Sequence, residues 1–132
     1  MAARVRNQAV KTQGKYRHEI VERMRAVGTY REEFAPIIDR TAGLYVQLDR
    51  FLRDFEEKAG GQAVIKHTNK SGATNLVKNP LLAACESVYG QLILHERELG
   101  LTPTGLKKLN EAALAQNKTS NALVDALKEL DI

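Results

Sequence analysis

Apolar residues recur along this chain at helical spacing, in stretches divided by short polar or glycine-bearing segments. The most regular stretch is Ile37, Thr41, Leu44, Leu48, Phe51 and Phe55, whose alternating steps of four and three keep one stripe on one side of a helix. Pro36 marks its start and Gly60-Gly61 its end, and the opposite face, from Asp39 to Lys58, is charged. A second stretch repeats the rhythm in Leu81, Cys85, Val88, Leu92, His95 and Leu99, flanked by Leu82, Tyr89 and Ile93. Its limits are punctuated. Asn79 is suited to cap the first free N–H groups, Pro80 to the first helical position, and Gly100 to a left-handed terminating residue. Two helices of about twenty residues, each roughly 30 Å long, with matching seams pair most simply as an antiparallel hairpin.

The flanks are shorter. Tyr16, Ile20, Met24 and Val27 share one face of a helix that Gly28 stops, and the polar residues before it read as a flexible arm. After Thr102-Pro103, a second cap-then-proline signal, Leu106, Leu109 and Ala113 predict a short helix. Residues 117–120 break that pattern, and Ala122, Leu123, Ala126, Leu127 and Leu130 restore it as a separate tail helix. Between the two long helices, Val64-Ile65 and Leu76-Val77 are β-prone pairs around Asn69-Lys70-Ser71-Gly72, which has the composition of a turn. The segment reads as a small β-hairpin or as an extended loop. The organisation expected is a basic arm over 1–13, a helical core over 14–116 with the insertion at 61–78, and a tail helix over 117–132. The fold class is mainly α.

Composition agrees with helices packed on helices. The chain has 132 residues, 43% of them apolar, but no Trp and few aromatics, so Leu and Ala fill most of the core. One cysteine, Cys85, allows no intrachain disulfide and suits a reducing compartment. No run is long enough for a membrane span, and the N-terminus lacks a signal peptide's apolar core, which reads as cytosolic. Surplus apolar positions beside the second seam, Tyr89 and Ile93, ask for cover from a flanking helix or another subunit.

Charge adds a direction. The net charge is +4, yet residues 1–31 hold Arg4, Arg6, Lys11, Lys15, Arg17, Arg23, Arg25 and Arg31 against Glu19 and Glu22 alone. The end of the chain is mildly acidic, with Glu111, Asp125, Glu129 and Asp131 against Lys118 and Lys128. Clustered Lys and Arg neutralise several phosphates together, which is what nucleic-acid binding needs, although basic arms also serve solubility. Lys66 and Lys70 add cations to the insertion, where no aromatic residue is interleaved, so duplex DNA held by its backbone suits it better than a stacked single strand.

Catalytic chemistry finds little footing. His18, His67 and His95 fall in separate segments with no second ligand at metal spacing, so no metal and no cofactor is expected. His95 and Cys85 sit on the apolar seam as packing residues, and the acids of the long charged face alternate with arginines, as Asp49 does with Arg53. No phosphate loop and no nucleophile elbow is present, and the chain is not expected to be an enzyme.

The run from Thr68 to Asn110 resembles the small terminase subunits of tailed bacteriophages. The resemblance is carried by Thr74-Asn75-Leu76-Val77-Lys78, by Asn79-Pro80-Leu81-Leu82, and by the close His95-Glu96-Arg97-Glu98-Leu99-Gly100-Leu101-Thr102-Pro103. It implies a non-catalytic DNA-recognition component of a genome-packaging motor in the host cytoplasm. Such a component assembles as a homo-oligomeric ring, binds double-stranded viral DNA, and serves a large terminase subunit that holds the ATPase and nuclease. The expected phosphate contacts are Arg4, Arg6, Lys11, Lys15, Arg17, Arg23 and Arg25, then Lys66 and Lys70. Leu44, Leu48, Phe51, Tyr89 and Ile93 are expected at helix contacts within or between subunits, and the tail from Ala122 is read as a docking element for the large subunit. The alternative is a helical adaptor that binds protein and no nucleic acid.

Overall fold

The computed structural model describes residues 10–130. Four helices and one hairpin follow in order: α1 (Gln13–Val27), a single 3-10 turn (Glu32–Phe34), α2 (Ala35–Glu57), β1 (Val64–Thr68), β2 (Thr74–Lys78), α3 (Pro80–Glu98) and α4 (Pro103–Leu130).

The helix limits follow from local chemistry. Thr12 caps α1 by accepting from the Lys15 N–H at 3.2 Å. Gly28 ends it at φ 78°, with the Thr29 N–H returning to the Met24 carbonyl at 2.9 Å. Asn79 caps α3 through the Leu81 N–H at 3.0 Å, and Gly100 closes it at φ 70°, where the Leu101 N–H reaches the Glu96 carbonyl at 2.8 Å. Thr102 then caps α4 by accepting from the Gly105 N–H at 3.0 Å.

α2 and α3 form the antiparallel pair that their seams predict. Leu48 of α2 is buried in one cluster with Cys85, Val88 and Leu92 of α3, and Leu44 and Phe51 pack at its edge. His95 lies half-buried on the same seam, where its Nδ1 shares a 3.1 Å hydrogen bond with the Thr41 hydroxyl. α2 also has a second working face. Ile38 and Ala42, one position beyond the seam residues Ile37 and Thr41, are buried against Ile20 and Met24 of α1 and against Leu99. A doubled stripe gives α2 two neighbours and makes it the central helix of the body.

The insertion is a β-hairpin, which settles the choice between hairpin and loop. β1 and β2 pair antiparallel with Lys66 opposite Leu76 and Thr68 opposite Thr74. The Asn69 Oδ1 organises the turn by accepting from the N–H groups of Ser71 and Ala73 and from the Ser71 hydroxyl. Two strands with so little apolar surface do not hold together alone. Ile65 and Val77, a cross-strand pair, are the half-buried residues that tie the hairpin down.

One expected boundary is absent. Residues 117–120 do not interrupt α4, which runs unbroken for 28 residues, about 42 Å at 1.5 Å per residue. Asn117, Thr119 and Ser120 are only moderately poor helix formers, and with neither Gly nor Pro between them nothing forces a break. Every residue from 111 to 130 is exposed.

Candidate nucleic-acid interface

The expected DNA-contacting residues occupy two ends of the body. Arg4 and Arg6 lie outside the described residues. At about 100° per residue, Lys15 and Arg25 fall on the outer side of α1, away from buried Ile20 and Met24, whereas Arg17 and Arg23 sit at the two margins of that buried face. Several of these cations already have neighbours. Lys11 pairs with Glu19 at 3.0 Å and stands 5.3 Å from the centre of the Tyr16 ring. Arg17 pairs with Asp39 at 3.0 Å, and Arg25 lies over Tyr30 at 4.9 Å. The two ion pairs are about half exposed, so each contributes little to stability.

Lys66 and Lys70 stand at the other end. α2 ends and α3 begins where the hairpin grows out, while the Thr29 hydroxyl donates to the Leu99 carbonyl at 2.9 Å at the opposite end of that pair, beside Arg25. The fold therefore does not gather the seven expected positions among the described residues into one patch. Lys66 and Lys70 are both exposed, on the strand and turn of a projecting element, and Lys78 beside them is joined to Glu86.

The base of that hairpin is fixed by Asn79. Its side-chain N–H donates to the Gln62 carbonyl at 2.8 Å, and its main-chain N–H donates to the Ala63 carbonyl at 2.8 Å. Asn79 is thus cap and clasp together, buried to 2% exposure. The clasp escapes sequence reading, because its acceptor is a main-chain carbonyl 17 positions earlier.

The expected helix contacts divide in the same way. Leu44, Leu48 and Phe51 pack inside the chain, as the seam requires. Tyr89 and Ile93 do not: they are 53% and 45% exposed, since α1 lies against α2 and leaves this flank of α3 bare.

A polar layer binds α1, α2 and α3 without forming a reactive site. Tyr16 and Tyr45 stack with ring centres 5.1 Å apart, the Tyr16 hydroxyl donates to Asp49, and the Tyr45 hydroxyl donates to Glu96. Burial first, and then the neighbouring carboxylate, pushes both phenols above their usual pKa, so they stay protonated donors. Burial also pushes the Cys85 thiol up, which disfavours the thiolate a nucleophile needs. An open groove of about 500 Å³ runs between the end of α1 and the α3–α4 turn, lined by Val27, Leu101, Pro103 and Leu106, with Arg23 as its charged residue. Among the described residues no three His, Cys, Asp or Glu side chains are grouped to hold a metal ion, and no helix is long and apolar enough to cross a membrane.

Residues 5–129 match the model of the family described as phage terminase, small subunit. The chain belongs to that family. The match spans nearly the whole described body, from the basic arm through α4, and membership supports a role in phage genome packaging. No curated protein and no solved structure matches the chain significantly. The family assignment therefore accords with the motifs around α3, whose Asn79, Gly100 and Thr102 serve as helix caps.

Proposed function

We propose that this chain is the non-catalytic, DNA-recognising small subunit of a phage packaging terminase, acting in the host cytoplasm. In this reading copies of the chain assemble as a ring, hold double-stranded viral DNA by its phosphates, and present it to a large subunit that carries the ATPase and nuclease. Family membership supports the packaging role. The observation that carries DNA engagement is the projecting hairpin, which holds Lys66 and Lys70 in the open on a turn braced by Asn69 and a base clasped by Asn79. Lys15, Arg25 and the arm with Arg4 and Arg6 supply a second set of cations for the same backbone. The exposed Tyr89 and Ile93 flank of α3 offers an apolar contact to a neighbouring copy.

The test is retention of the full chain on duplex DNA as salt is raised from about 50 to 200 mM, where a protein neutralising several phosphates loses affinity steeply. Lys66→Ala combined with Lys70→Ala lowers the slope of log affinity against log salt by about 2, one for each phosphate contact removed. No retention at the lowest salt would overturn DNA recognition and favour a protein-only adaptor.

A further inference from the structure

We infer that the exposed length of α4 is a self-association element, joining parallel copies of this chain in register through one uncharged face. The inference deepens the assembly part of the proposed function and assigns that assembly to α4.

The period comes first. Leu106, Ala113, Ser120 and Leu127 alternate with Leu109, Gln116, Leu123 and Leu130 at unbroken steps of three and four along the whole helix. That 3.5-residue repeat is the signature of helices that supercoil around each other, with these residues at the a and d positions of the heptad. At its base the seam is already in use. Leu106 and Leu109 are half-buried on the body, and the Leu109 side chain approaches Gly100. Beyond them the same seam continues into solvent, where Leu123, Leu127 and Leu130 are 63%, 56% and 80% exposed. An isolated segment of this length, with Asn117, Thr119, Ser120 and Asn121 at its middle, is marginal in water and gains its stability from packing.

Charge placement identifies the occupant. Every charged residue of α4, from Lys107 to Glu129, falls at an outer b, c or f position, and Glu111, Lys118 and Asp125 all occupy f. The e and g positions that flank the seam are uncharged and mostly small, among them Ala112, Asn117, Thr119 and Ala126. A face with no charge at a, d, e or g presents nothing that selects a charged partner, and its width suits close packing in a bundle.

Gln116 and Ser120 set the register, and symmetry sets the orientation. They put a polar layer at the middle of an otherwise apolar seam, and buried polar groups must find hydrogen-bond partners. A glutamine amide is both donor and acceptor, so copies of Gln116 satisfy one another when the helices run parallel and in register. Cyclic assembly of identical bodies sends their α4 helices out in one direction, and in that parallel arrangement the layer is satisfied.

The experiment measures the mass of the full chain by light scattering on a sizing column, over a range of concentrations. The unmodified chain is expected at a multiple of 14.7 kDa. Leu123→Lys combined with Leu127→Lys, at d and a, is expected to return the mass to 14.7 kDa. Asn121→Lys combined with Ala122→Lys adds the same charge at b and c and leaves the assembly intact. Folding of the body is followed separately by its thermal transition, because residues 111–130 are exposed in the single chain and their substitution leaves the core in place. A monomer at every concentration would overturn the inference. So would an assembly that survives the a/d change yet collapses with Tyr89→Lys and Ile93→Lys, a result that leaves the packaging reading standing. An a/d variant that keeps its mass but no longer retains the large terminase subunit would assign α4 to that partner and overturn self-association.

Discussion

Gly105 of α4 lies so close to the Arg97 carbonyl of α3 that a side-chain carbon on it would stand 2.1 Å from that oxygen. The contact is with main chain, which has no rotamer by which to retreat. α4 can therefore cross the end of α3 only with hydrogen at this position. Gly105→Ala is expected to lose about 3 kcal/mol in chemical denaturation, because overpacking against backbone outweighs the helix propensity that alanine adds. Gly90 is the control: nothing lies within 4 Å of a carbon added there, and Gly90→Ala is expected to gain about 0.5–1 kcal/mol.

The clasp at Asn79 makes a separable prediction. Asn79→Ala removes the helix cap and leaves the Gln62 carbonyl without its donor, at an expected cost of about 2 kcal/mol. Asn79→Asp keeps the capping oxygen but sets a buried carboxylate oxygen against the Gln62 carbonyl, so it is expected to cost at least as much. Amide hydrogen exchange at β1 and β2 rises in both variants if the clasp holds the hairpin to α3.

Thr29 and Leu99 join the end of α1 to the end of α3 through a buried 2.9 Å hydrogen bond. Thr29→Val keeps the shape and leaves the Leu99 carbonyl unpaired. The expected loss is about 1–2 kcal/mol in thermal or urea unfolding.

The two stacked tyrosines predict an alkaline limit to stability. Their folded pKa values are raised above the ordinary 10.0, so above pH 10 the unfolded chain releases protons that the folded chain retains. Stability from these groups is complete below pH 10 and declines as pH rises beyond it. Urea midpoints between pH 9 and 11 are expected to fall in the unmodified chain and to fall less in Tyr16→Phe and Tyr45→Phe, which have no phenol proton to lose.

Much of the fold was legible in residue order. The caps at Asn79, Gly100 and Thr102, the α2–α3 seams and the Asn69 turn are local features that short-range spacing reveals. Ile38 and Ala42 are apolar in the sequence, but that a second helix covers them was not legible there. Nor was the role of Gly105, since glycine early in a helix looks only like a weak former until the neighbouring helix is in place. The candidate interface was half legible: charge clustering named the cations, and the antiparallel pairing of α2 and α3 then set Arg25 and Lys66 at opposite ends.

By itself the sequence determined the helical class, the capped helix ends at Gly28, Asn79, Gly100 and Thr102, and the family, because each rests on residues a few positions apart or on a contiguous motif. Tertiary structure alone decided that α2 serves two neighbours, that Tyr89 and Ile93 remain bare, that Asn79 holds Gln62, and that α4 leaves the body as one uninterrupted helix. The reason is physical: periodicity fixes which side of a helix is apolar, whereas which helix arrives to cover that side depends on close approach between residues far apart in the chain.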